Sequence, residues 1–154
     1  MWLIKKILLA LLIVFLAIQL IQPASNNHEQ VVSTDFAKVF SVPESVQSIL
    51  QNACYDCHSN HTVYPWYSHI QPMAGLLAKH IKEGKAKLNF SEFGNLRTRR
   101  QASKLKDIAG QVKDNEMPIA SYKIMHENAR LSEAEKKLII EWMNSKADSL
   151  LTGD

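Results

Sequence analysis

At 154 residues the chain has room for one domain of ordinary size. Hydrophobic residues make up 46% and charged residues 21%, which excludes a disordered or collagen-like polypeptide. Two cysteines exclude a disulfide-rich scaffold, and a net charge of +3 gives no sign of a nucleic-acid binder. A multi-pass membrane protein is excluded as well, because the chain has a single long apolar run.

That run opens the chain. Lys5 and Lys6 precede Ile7 to Ala17, eleven residues without a polar side chain, and Ile18, Leu20 and Ile21 extend it before Gln22-Pro23. Basic residues ahead of an apolar core are the layout of an export signal, with the lysines retained on the cytoplasmic side. A run of roughly 18 to 20 residues is long enough to span a bilayer. No good A-x-A cleavage site lies between Gln22 and Asn27, so an uncleaved anchor is expected over a removed signal peptide. The expected location is the cytoplasmic membrane, single-pass, with everything after Pro23 in the periplasm or otherwise outside.

The remainder reads as helices and loops, with no convincing strand alternation. Residues 24–30 look like a polar linker, and Val31 to Ser41 has no clear pattern, with an extended segment as one reading. Val42-Pro43-Glu44 resembles a helix start, after which Val46, Ile49, Leu50 and Ala53 share one face. A second helix is expected from Pro72 to Glu83, with Met73, Leu76, Leu77, His80 and Ile81 on one stripe and a stop near Gly84. A third spans Arg97 to Lys113, with Leu105, Ile108, Ala109 and Val112 inward. Ser132 with Glu135 makes a capping box for a last helix carrying Leu138, Ile139, Trp142 and Met143. Trp142 is expected to pack on the Val46–Ala53 helix.

The chemistry is concentrated in Cys54-Tyr55-Asp56-Cys57-His58. This is C-x-x-C-H, the attachment motif for c-type haem. Two thiols one helical turn apart match the separation of the two haem vinyl groups and form thioethers with them. The adjoining His58 then offers its imidazole to the iron. Three rivals fit less well. A redox dithiol of the thioredoxin kind wants a strand before it and a sheet around it. A structural zinc site needs four ligands, and no second C-x-x-C exists. A disulfide between Cys54 and Cys57 closes too small a loop to stabilise much.

The run Cys54 to Asn60, then Thr62, Tyr64-Pro65-Trp66-Tyr67, Pro72 and Leu88-Asn89-Phe90-Ser91, resembles the bacterial haem-binding domain family with a single C-x-x-C-H. That family is similar to small c-type cytochromes, and the likeness covers about residues 40 to 146. It implies an all-α, cytochrome c-like helical haem domain, here preceded by the N-terminal transmembrane or signal helix. It also implies one covalently attached haem c with its iron. Trp142 against the Val46–Ala53 helix would then resemble the crossed terminal helices of cytochrome c.

The leading candidate for the sixth iron ligand is Met117, in the polar loop Asp114-Asn115-Glu116-Met117-Pro118, 59 residues beyond His58. A Met among Asp, Asn, Glu and Pro is a poor core position, and thioether sulfur suits haem iron. Small class I cytochromes, which this arrangement resembles, also present a distal Met from a loop with Pro beside it. His80, on the apolar stripe of the second helix, and His69, after the aromatic cluster, are the competitors; an iron without a protein sixth ligand is the remaining alternative.

Tyr64, Trp66 and Tyr67 are expected to wall the haem pocket and to donate to a propionate, since an unpaired buried charge is costly, or to form a small core under their loop, and the two readings are compatible. Residues 79–106 carry nine basic and two acidic side chains. They offer a docking patch to an acidic redox partner or anionic lipid, or are simply solvated helix faces. The domain layout read from all this is 1–23 anchor or signal peptide, 24–40 linker, 41–147 haem domain and 148–154 tail. Two function classes follow: an electron carrier with Met117 closing the iron, or a haem enzyme or ligand sensor with an open distal site.

Overall fold

The computed structural model describes residues 1–27 and 32–153. Helices α1 (Trp2–Ile18), α2 (Phe36–Val39), α3 (Glu44–Ala53) and α4 (Tyr55–His58) are followed by a 3-10 turn at Trp66–His69. Next come α5 (Met73–Lys87), a 3-10 turn at Phe90–Asn95, α6 (Thr98–Lys113), α7 (Ala120–Met125), a 3-10 turn at Glu127–Ala129, and α8 (Glu133–Thr152). No strand occurs among the described residues, apart from one isolated bridge between Asn27 and His61. The all-α expectation is met.

The first helix exposes its apolar side chains on every face and buries none of them. It has 17 residues, a rise of about 25 Å at ~1.5 Å per residue. Among the described residues no helix is long and apolar enough to cross a membrane.

The core forms where the amphipathic faces meet. Helix α8 packs chiefly along α6, burying Ile139, Met143 and Ala147 against Leu105, Ile108, Ala109 and Val112. Helix α3 adds Val46, Ile49, Leu50 and Ala53. The capping box forms as expected: the Ser132 hydroxyl accepts from the Glu135 N–H at 3.3 Å, and the Ser132 N–H donates to Glu135 Oε2 at 2.8 Å. Two helices outrun their expected ends. Helix α8 continues through Thr152 to a left-handed Gly153 cap (φ 80°), taking in most of the stretch read as a tail. Helix α5 passes Gly84 and ends at Lys87.

The segment read as extended differs most. Val31 lies outside the described residues. From Asp35 onward the chain makes a helical turn instead, because the Asp35 carboxylate accepts the Ala37 N–H at 2.9 Å and caps it. This turn puts Phe36 at the centre of an aromatic cluster, edge-on to Phe40, Phe90, Phe93 and Trp142 at 4.9–5.8 Å between ring centroids. Trp142 thus meets α2 as well as the helical core. Gly94 lets the second 3-10 turn close on α2: a Cβ there would lie 2.8 Å from Val39 Cγ2 and 3.0 Å from Thr34 Cα.

Candidate functional site

Helix α3 delivers Cys54, whose N–H still donates to the Leu50 carbonyl at 2.9 Å. At Cys54 the backbone leaves the helical region (φ −130°), and α4 restarts as a single turn. In that turn the Cys57 and His58 N–H groups both donate to the Cys54 carbonyl, at 3.2 and 3.0 Å. Cys54 and His58 face a cavity of about 580 Å³, within the ~300–1,000 Å³ typical of cofactor sites. Cys57 instead borders a neighbouring cavity of about 30 Å³.

Backbone carbonyls orient His58. Its Nδ1 lies 3.1 Å from the Leu88 carbonyl oxygen. A carbonyl can only accept, so in the neutral ring Nδ1 carries the proton and Nε2 keeps a free lone pair. A metal-binding histidine is commonly set up in this way, with its second nitrogen tied to a carbonyl. Burial also holds the His58 imidazole below its ordinary pKa, which favours the neutral form.

Burial pushes the Cys54 thiol up to about 12, and burial with the Asp56 charge pushes Cys57 up to about 11. Both are free cysteines held as thiols at neutral pH. Redox dithiols need depressed values, so this site is a poor thioredoxin-like centre. Nor do the described residues hold any group of three or more His, Cys, Asp or Glu placed to bind a metal ion, which weighs against zinc.

The large cavity joins α3 and α4 to α5 and α6. Ala53, Leu88, Phe90, Ile108 and Val112 give it apolar walls; Lys87, Arg100, Lys104 and Lys106 bring cations to it and Asp107 and Asp114 carboxylates, with Lys104 paired to Asp107 at 3.7 Å and Lys106 to Asp148 at 2.8 Å. Apolar walls suit a porphyrin and cations suit its propionate carboxylates, so the donor set and the lining fit haem.

Met117 lines the same cavity as Cys54 and His58. Its loop folds back on α6: the Glu116 and Met117 N–H groups donate to the Gln111 carbonyl at 3.0 and 3.1 Å, and Asn115 takes a positive φ of 59°. The competing histidines lie elsewhere. His80 borders the small cavity, and His69 is exposed at the end of its 3-10 turn.

The aromatic cluster does not wall the large cavity. The Tyr64 oxygen accepts the Asn26 N–H at 2.7 Å, Trp66 is 76% exposed, and Tyr67 lines the small cavity. A bracing network ties this loop to the Cys54–His58 turn. Asn26 donates to the Ser59 carbonyl and to Thr62 Oγ1, both at 2.9 Å, and Thr62 Oγ1 donates to the Asp56 carbonyl at 2.6 Å. The Asp56 carboxylate accepts from the Tyr122 hydroxyl at 2.6 Å and from the Val63 N–H at 3.0 Å.

Sequence reasoning missed three contributors: the Leu88 carbonyl, Asn26 and Gly84. Only Gly84 left a signal, and it was read as a helix stop. Its role is close approach, since a Cβ there would stand 2.6 Å from the Cys57 carbonyl oxygen. That atom belongs to backbone and cannot rotate away. Gly84→Ala gains about 1 kcal/mol in helix propensity but incurs an overpacking cost of ~1–3 kcal/mol. The expected result is a net loss of stability in urea unfolding. Gly110, also helical, has nothing within 4 Å of a new Cβ because it lines the large cavity.

A family model described as a haem-binding domain matches residues 13–145. No curated protein and no solved structure matches the chain.

Proposed function

This chain belongs to the haem-binding domain family, and on that premise we propose that it carries one covalently attached c-type haem and transfers electrons outside the cytoplasmic membrane. The observation that carries this reading is a single cavity of about 580 Å³ lined by Cys54 and His58 of the motif together with Met117, 59 residues further along the chain.

In this reading Cys54 and Cys57 supply the thioether bonds. His58 binds the iron through Nε2, its ring held by the Leu88 carbonyl. Met117 binds from its own loop and excludes water and small ligands from the iron. When bound, haem supplies a one-electron couple, whose potential His/Met ligation raises. Lys87 and Arg100 would counter the propionates, and the basic side chains at the cavity offer an acidic redox partner a complementary surface. Membrane attachment is supported by the exposed apolar surface of α1, which backbone turns continue through Ile21.

A visible spectrum with and without carbon monoxide tests the reading. The reduced protein should show no carbon monoxide adduct if His58 and Met117 both hold the iron. Rapid adduct formation would favour an open distal site, and with it a haem enzyme or small-ligand sensor.

A further inference from the structure

The end of α1 is not loosely joined to the haem domain. The Gln19 side chain accepts the Gln71 N–H at 2.9 Å and donates to the Gln71 carbonyl at 3.3 Å. The Gln22 side chain donates to the His69 carbonyl at 3.1 Å, and the Gln71 side chain donates to the Ile21 carbonyl. These four bonds hold the segment His69–Gln71 level with the last turn of the apolar helix.

The surface at that level is unusual for this chain. Trp66 is 76% exposed, Ile70 40% and Met73 37%, beside Leu20 at 87% and Ile21 at 70%. Residues 57–78 contain no Asp, Glu, Lys or Arg, in a chain that is 21% charged. The basic segment begins only at Lys79. An exposed indole with aliphatic neighbours and no formal charge is costly in water and favourable at the boundary between headgroups and acyl chains, where tryptophan is enriched.

We propose that the face carrying Trp66, Ile70 and Met73 rests on the lipid bilayer surface, seated there by the hydrogen bonds that tie it to the end of α1. This rests on the reading of α1 as a membrane anchor. The haem domain would then have a fixed attitude to the membrane instead of swinging on a tether.

The test uses the full chain in vesicles of phosphatidylcholine, which has no net charge. A photoreactive benzoylphenylalanine replaces, one at a time, Leu12 in α1, Trp66, Ile70 and Lys137 on α8. After irradiation, lipid adducts are read by mass spectrometry. Adducts are expected at positions 12, 66 and 70 and not at 137. Adducts at 12 with none at 66 or 70 would overturn the proposal while leaving the anchor standing. No adducts at 12 would overturn the anchor reading and this proposal with it. Adducts at all four positions would show indiscriminate contact and overturn the seated face alone.

Discussion

Replacing Met117 with alanine should abolish the sulfur-to-iron charge-transfer band of the oxidised protein, admit carbon monoxide to the reduced iron and lower the reduction potential. Each change follows from losing one ligand. The thioether is a soft donor that favours ferrous iron, and its removal leaves the sixth position to water or an added ligand. The loop itself should survive, because its bonds to the Gln111 carbonyl come from the backbone N–H groups of Glu116 and Met117. His80→Ala and His69→Ala should leave the band in place, since neither side chain borders the large cavity. If Met117→Ala leaves the spectrum unchanged and His80→Ala alters it, the iron has two histidine ligands and the Met117 assignment is wrong.

Phe36→Ala should be among the most destabilising single substitutions in the chain. Phe36 is fully buried and contacts four aromatic rings edge-on. Emptying such a site costs ~3–5 kcal/mol, and lost edge-to-face pairs place this one toward the upper end. Against a total stability of about 5–15 kcal/mol, that is a large fraction. Urea unfolding should show a lower midpoint with little change in slope. A loss below ~1 kcal/mol would mean that the α2 turn is not part of the cooperative core.

Phe36 also marks the limit of what the sequence makes legible. Helices α3, α5, α6 and α8 announce themselves because each repeats its apolar residues at helical spacing over ten or more positions, and the Ser132–Glu135 box marks one start. A four-residue turn has no period to read, so Phe36 in a presumed linker carried no visible sign of burial. At the site, Cys54, Cys57 and His58 stand out because the C-x-x-C-H motif fixes their order and spacing. Met117 stood out as an apolar residue in a polar loop. The Leu88 carbonyl could not be found, since any residue carries one and only the path of the chain brings it to His58. The aromatic cluster misled for a related reason. Three rings close to the motif in sequence suggested a pocket wall, but none of them lines the large cavity, and Tyr64 is engaged by Asn26, 38 residues earlier in the chain.

The central claim is covalent attachment through the two thiols, and intact mass tests it most directly. The full chain, purified from a host with c-type maturation and denatured in acid–acetone, should weigh the polypeptide plus one haem. The Cys54→Ser, Cys57→Ser double variant, produced in the same host, should weigh the polypeptide alone. A wild-type chain that loses its haem to the solvent and weighs the polypeptide alone would contradict the account.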